Sequence, residues 1–132
     1  MALTTPYPRI QGSRFPLGQE LVCESFLIVP GTSDYTTLGY VITALYCGFK
    51  MVQGAVVTGG NTTVFPNNPS TAGYYAFPVF PESQLATSGS GFTGYSQFLL
   101  KVYFAGGANI GVEVGAGGNL TGCIWQVMVI GY

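Results

Sequence analysis

Few side chains in this sequence are suited to chemistry. The charged residues are Arg9, Arg14, Lys50, Lys101, Glu20, Glu24, Asp34, Glu82 and Glu113, and histidine is absent from all 132 residues. An ordinary globular domain is about one quarter charged. General acid–base catalysis and metal binding draw on His, Asp, Glu, Lys or Cys held close together, yet residues 51–81 carry no charge at all. Glu20 and Glu24 are the nearest approach to a catalytic carboxylate pair. Four residues along a strand separate them by about 13 Å, whereas inverting glycosidases hold their carboxyl groups about 6.5–9.5 Å apart. The pair therefore reads as solvated strand charges, or as partners for Arg9 and Arg14. A nucleophilic serine has no imidazole to activate it. Lys50 and Lys101 leave a Ser–Lys arrangement formally open, but neither lies in a recognisable motif. These counts argue against an enzyme.

The remaining motifs are weak for stated reasons. Gly89, Gly91 and Gly94 spell GxGxxG, with Glu113 about 20 residues further on, but the dinucleotide fingerprint needs a strand before it and a helix after it. Here QFLLKVYF follows, which is a strand pattern, so the glycines read as a turning loop. Asn61-Thr62-Thr63 and Asn119-Leu120-Thr121 match the glycosylation acceptor, yet such triplets arise readily in an Asn/Thr-rich chain and read as turns. Cys23, Cys47 and Cys123 are odd in number and never spaced CxxC. Three buried, reduced thiols are expected, with one disulfide plus one free thiol as the alternative. A zinc site would need a fourth ligand, and without histidine none is expected. No cofactor is implied.

The elements that hold these residues are strands. Twenty glycines and eight prolines disfavour helices, while 48% hydrophobic residues exclude disorder. Residues 1–19 stand apart: Pro6, Pro8 and Pro16 punctuate them, and half the basic charge, Arg9 and Arg14, sits there. Proline fixes φ and biases its predecessor toward extended backbone, so this segment reads as an extended arm. Its apolar residues, Tyr7, Ile10, Phe15 and Leu17, would be wasted on a free tail. The arm is expected to cross a neighbouring chain. From residue 20 to 132 the chain reads as one β domain. ELVCESFLIV is a first strand closed by Pro30-Gly31. A second run lies near 38–45, and 49–58 is a third, with Gly59-Gly60-Asn61 placed to turn a hairpin. YYAFPVF (74–80) follows, with Pro78 pointing to an edge or bulge. Residues 86–96 read as a Gly/Ser/Thr loop. QFLLKVYF (97–104), a hairpin through NIGVEV (109–114) and TGCIWQVMVI (121–130) complete the set. Seven or eight short strands predict an all-β fold, an antiparallel β-sandwich or jelly-roll-like barrel with an extended N-terminal arm.

Periodicity assigns the faces. Phe98, Leu100, Val102 and Phe104 alternate with Leu99, Lys101 and Tyr103, the pattern of a half-buried strand. The last strand is apolar on both sides. Cys123, Trp125, Val127 and Val129 share one face, and Ile124, Gln126, Met128 and Ile130 the other. Burial on both sides needs a second cover for Ile124, Met128 and Ile130: a sister subunit, a covering arm, or the plug of a closed barrel. The aromatics Phe65, Tyr74, Tyr75, Phe77, Phe80, Phe92 and Tyr95 fall in or beside uncharged loops, where they could form an interface, a sugar platform or the edge of the core. A net charge of −1 offers nucleic acid or anionic membrane nothing to attract, and it leaves a monomer weakly protected from self-association. The opening residues lack the apolar run of a secretory signal. No run reads as a membrane span of about 20 apolar residues.

Three stretches carry a family resemblance: TTPYPRIQGSRFPLG, GYVITALYCGFKMVQGAVVTG and LTGCIWQVMVIGY. In style across most of its length the chain resembles small structural proteins of tailed bacteriophages, most of all capsid decoration (cement) proteins. The resemblance implies a β-rich domain, often trimeric, made in the host cytoplasm and seated on the outer surface of the virion where major capsid protein subunits meet. There it would stiffen the shell without catalysis. The interface residues expected on this basis are Tyr7, Arg9, Ile10, Arg14, Phe15, Ile124, Met128 and Ile130. The alternative is a carbohydrate-binding β-sandwich of a tail or fibre that uses its loop aromatics.

Overall fold

The structure, a computed structural model, describes residues 3–18, 20–61, 73–87, 93–105 and 108–132. Among the described residues nine strands form two antiparallel sheets. They are β1 (Phe15–Pro16), β2 (Val22–Ile28), β3 (Tyr40–Thr43), β4 (Val52–Asn61), β5 (Tyr74–Val79), β6 (Leu85–Thr87), β7 (Thr93–Tyr95), β8 (Gln97–Phe104) and β9 (Ile124–Gly131). One sheet has six strands in the order β1-β2-β9-β4-β7-β6, and the other has three in the order β3-β8-β5. A 3-10 turn at Glu82–Gln84 leads into β6. The expected all-β sandwich is the fold.

Alternation builds the core. From the six-stranded sheet, Phe26 and Ile28 of β2, Trp125, Val127 and Val129 of β9 and Val52 of β4 point inward. From the three-stranded sheet come Tyr40 and Ile42 of β3 and Phe98, Leu100 and Val102 of β8. Cross-strand pairing sets these in register. Phe26 lies opposite Val127 and Ile28 opposite Trp125, while Tyr40 and Ile42 lie opposite Leu100 and Phe98. A shift of one residue would turn each strand's apolar set out to water.

One end of the sandwich is closed by a polar knot. The Tyr35 hydroxyl, on a buried ring, donates to Glu113 Oε1 at 2.8 Å and accepts from the Val102 amide at 3.0 Å. Glu113 Oε1 also accepts the Leu38 amide at 3.0 Å. Leu38 has φ 85°, a region that large side chains rarely adopt, and it is the backbone amide bond to Glu113 that holds it there while the side chain is exposed. Gly39 beside it has φ 113°, and a Cβ there would meet the Leu100 carbonyl oxygen at 2.7 Å.

Several strand expectations change at their ends. Gly59, Gly60 and Asn61 do not turn a hairpin; they continue β4, opposite Gln126, Trp125 and Ile124. Two register shifts in β4 absorb the irregularity of its glycines. Within the expected 86–96 loop lie β6 and β7, which pair Leu85 with Tyr95, Ala86 with Gly94 and Thr87 with Thr93. Gly94 is buried because a Cβ would meet the Met51 side chain at 2.9 Å, so that glycine serves close packing. The return through 109–114 is held to β8 by the Tyr103–Glu113 bridge and by Phe104 donating to the Val112 carbonyl at 3.0 Å. Pro78 lies in β5, an edge strand of the smaller sheet.

Candidate functional site

The arm lies along β2 of its own chain. Leu27 donates to the Pro8 carbonyl at 2.8 Å, Ile10 to the Ser25 carbonyl at 2.9 Å, and Arg9 forms a β-bridge with Phe26. Further on, Phe15 and Pro16 pair with Cys23 and Val22. The Ser13 hydroxyl donates to Ile10 and accepts the Ser25 amide at 2.9 Å. The residues expected to reach a neighbouring chain are thus largely engaged at home. Tyr7 is 4% exposed, in the core cluster, its hydroxyl donating to the Val41 carbonyl at 3.2 Å. Burial pushes its phenol up to about 12. An intramolecular strand edge claimed the arm because the alternating apolar residues that suit a partner suit β2 equally well.

Both arginines of the arm converge on one carboxylate. Glu24 follows the inward face of β2, and only 5% of it is exposed. Arg14 NH1 lies 3.0 Å from its Oε2 and Arg9 Nε 3.6 Å from its Oε1, with both arginine side chains about half in water. The Arg9 guanidinium also sits 5.8 Å from the centroid of the Phe26 ring and reaches the Cys47 carbonyl at 3.4 Å. A carboxylate this buried needs such partners. Of the two readings of Glu20 and Glu24, pairing with arginine applies to Glu24, while Glu20 is exposed outside the strand.

The outer face of the six-stranded sheet gathers the other expected interface residues. Register places Phe15, Cys23, Ile130 and Gly54 in one row across β1, β2, β9 and β4. The next row is Ser25, Met128 and Val56, and Gln126 and Leu27 follow. Phe15 is 47% and Val56 45% exposed; Ile124, Met128 and Ile130 are half-buried. The three-stranded sheet takes the opposite face, so no second described sheet covers this one. Ile10 is half-buried between these regions.

The aromatics divide between core and surface. Phe80 stacks on Phe98 at 5.1 Å and meets Tyr95 at 4.9 Å, which makes it edge-of-core packing. Tyr74 also packs against the core. Tyr75 and Phe77 instead project from the outer face of the smaller sheet beside Tyr103. These three rings are nearly parallel: 5° between Phe77 and Tyr103 at 5.1 Å, and 14° between Tyr75 and Tyr103 at 5.5 Å. Alternation sets Tyr103 opposite the inward residues of its strand, and its part in an aromatic row comes from pairing with β5. Phe65 and Phe92 lie outside the described residues.

Cys23, Cys47 and Cys123 are free and buried. Burial pushes the Cys47 thiol up to about 12 and that of Cys123 to about 11, and raises Cys23, so all three are poor nucleophiles at neutral pH. Among the described residues no three of His, Cys, Asp and Glu gather where a metal ion could sit. Among the described residues no helix is long and apolar enough to cross a membrane. Gly94 of the GxGxxG lies in a strand; Gly89 and Gly91 are outside the described residues. Asn119 Oδ1 accepts the Thr121 amide at 3.0 Å, a turn contact, as expected for that triplet. Comparison with known protein families, curated proteins and solved structures finds no match.

Proposed function

We propose that the protein is a structural component of a virus particle, a capsid decoration protein that acts through protein–protein contact and not through catalysis. One observation carries this reading: the outer face of the six-stranded sheet. Ile124, Met128 and Ile130 stand on its central strand, flanked by Val56 and Phe15, and no charged side chain interrupts the rows between them. A solvent-facing sheet usually alternates apolar-in with polar-out. An uncharged, mainly apolar face, broken only by Ser25 and Gln126 in these rows, is suited to a contact surface. The chain's scarcity of charge and the family resemblance of its sequence support the same reading. The partners are then the major capsid protein and further copies of this chain, a trimer being favoured, on the outer surface of the virion. The arm contributes through Arg9, Arg14 and Phe15 at its exposed side, while Tyr7 anchors it.

Light scattering on the purified chain, alone and with empty shells, tests the proposal. Oligomers and shell-bound protein are expected, both lost in Met128→Asp. A monomer that ignores shells would overturn it.

A second reading rests on Tyr75, Phe77 and Tyr103. Three nearly parallel rings, Tyr75 and Phe77 exposed and Tyr103 half-buried, can stack on the apolar faces of sugar rings, which supports a carbohydrate-binding module of a tail or fibre. Retention on immobilised polysaccharide, lost in Phe77→Ala, would favour it over the first.

A further inference from the structure

A cleft of about 250 Å³ opens between the N-terminal arm, the 34–36 turn and the β3–β4 connection, and neither reading above uses it. Its walls come from three distant segments: Leu3 and Tyr7 of the arm, Asp34, then Tyr40, Val41 and Tyr46. The rings of Tyr7 and Tyr46 stand 6.0 Å apart at 80°, forming a corner. Tyr46 is 41% exposed and forms the solvent side of this corner, while Tyr7, 4% exposed, forms its floor.

Hydrogen bonding decides which ligand fits. Asp34 Oδ2 accepts the Gly31 amide at 2.7 Å, and its Oδ1 accepts the Tyr40 hydroxyl at 2.9 Å. Both donors fix the carboxylate while leaving each oxygen a further lone pair. Among the described residues no Lys or Arg lies within ion-pair distance of Asp34; the arginines of the arm are committed to Glu24. Three hydroxyl protons of the wall are also used within the protein. Tyr7 donates to Val41, Tyr40 to Asp34, and Thr36 to the Gly39 carbonyl at 2.8 Å. The cleft therefore offers acceptors and ring faces, with the hydroxyls of Thr5 and Tyr46 as its uncommitted donors, and its one charged group is a carboxylate with no cation beside it. A ligand that brings its own protons and a positive charge matches what is there.

We propose that this cleft receives a basic side chain, lysine or arginine, projecting from a partner protein. The cation would lie against Asp34 and the Tyr7–Tyr46 corner, where ring faces attract positive charge. Leu3 and Val41 would cover the methylene stem, as apolar surface does for long basic side chains elsewhere. The geometry is that of an aromatic cage with one carboxylate wall. It is separate from the outer face of the six-stranded sheet, so it stands or falls independently of the decoration reading.

The test is a titration of the full, isotope-labelled chain by NMR. The probes are the N-acetyl methylamides of lysine and arginine, with that of norleucine as the neutral isostere and N-acetylglucosamine as the sugar arm. Saturable shifts at the amides of Thr36, Val41 and Tyr46 are expected with one or both cations in the millimolar range, as befits one ion pair with ring contacts. Raising salt from about 0.05 to 0.5 M should weaken them, because it shortens the screening length severalfold. Tyr46→Leu, at an exposed position that leaves the fold intact, should weaken binding about tenfold. Asp34→Asn should abolish it, and a native-like spectrum of that variant shows that loss of the Gly31 contact is not the cause. Equal shifts with norleucine would make the cleft merely apolar, and stronger shifts with the sugar would make it a glycan site; either overturns the proposal. So would the absence of saturation by both cations up to about 100 mM, far above the millimolar range.

Discussion

Removing the charge of Glu24 tests what locks the arm to the domain. Glu24→Gln keeps the side-chain shape at a position 5% exposed. The contacts at stake are Arg14 at 3.0 Å and Arg9 at 3.6 Å. Because both arginines are about half in water, they re-solvate when the carboxylate is neutralised, and no buried charge is stranded. The loss is then an ion-paired hydrogen bond of about 1.5–3 kcal/mol, partly replaced by a weaker one of about 0.5–1.5 kcal/mol from the still-charged guanidinium to the amide oxygen. The longer, screened pair adds about 0.2–1 kcal/mol. A net destabilisation of about 1–2 kcal/mol follows, or about 3–8 °C in Tm for a chain of this size. The opposite deletion should cost more. Arg14→Met leaves the buried carboxylate with only the distant Arg9, and stranding a buried charge costs about 3–5 kcal/mol. The double variant should be no worse than Glu24→Gln, the coupling that a double-mutant cycle reads. Urea unfolding followed by Trp125 fluorescence gives the energies. Hydrogen exchange at the Ile10 and Leu27 amides reports whether the arm itself loosens. If Arg14→Met proved as mild as Glu24→Gln, or if those amides stayed fully protected in both, the carboxylate would not be what holds the arm.

Other perturbations should fail in distinguishable ways. Met128→Asp should leave unfolding midpoints nearly unchanged while light scattering shows loss of oligomer; unchanged oligomers would mean that the face is wet. Trp125→Ala should cost about 3–5 kcal/mol through the cavity it leaves in the core, read as a lower urea midpoint. Gly39→Ala should destabilise measurably, because the new Cβ meets the Leu100 carbonyl and φ is 113°; a neutral result would show that the turn relaxes. Alkaline pH should unfold the chain. Cys47 and Tyr7 are raised to about 12 from ordinary values of 9.0 and 10.0, and Cys123 to about 11. The unfolded chain therefore releases these protons first, so stability is complete below about pH 9 and falls as pH rises toward 12. Urea midpoints that hold constant from about pH 8 to pH 11 would contradict this burial.

Local pattern was enough for the strands that carry it. In β8 the alternation of Phe98, Leu100 and Val102 with Leu99, Lys101 and Tyr103 gave the buried face directly. In β9 the split between Trp125, Val127, Val129 and Ile124, Met128, Ile130 is the split the structure shows. What failed was composition read as conformation. Gly94 and its neighbours looked like loop because glycine is common in loops, yet the nearness of Met51 demands a residue without a side chain inside β7. The arm's direction was equally hidden. Prolines and spaced apolar residues show that backbone is extended, but not which edge it pairs with. A signal for its home edge did exist: Glu24 shares a face with Phe26 and Ile28, and a carboxylate on an inward face needs cations from close by. The cleft of Tyr7, Asp34, Tyr40 and Tyr46 had no local signature, since its walls meet only through tertiary packing.

The two sheets end in strands of unequal exposure to a newcomer. β1 has two residues, one of them Pro16; β6 has three; β3 has four; and β5, at six, contains Pro78. Open strand edges recruit further strands, and proteins commonly deter this with lysine, with proline or with brevity. A chain holding two lysines has mainly the last two means, and its edges use both. Growth by adding strand to strand is thereby discouraged, while the broad face centred on Met128 remains available. Such a molecule should associate by stacking faces into closed, countable assemblies instead of extending into fibrils, and concentrated solutions should stay free of cross-β order even though so little charge keeps the molecules apart.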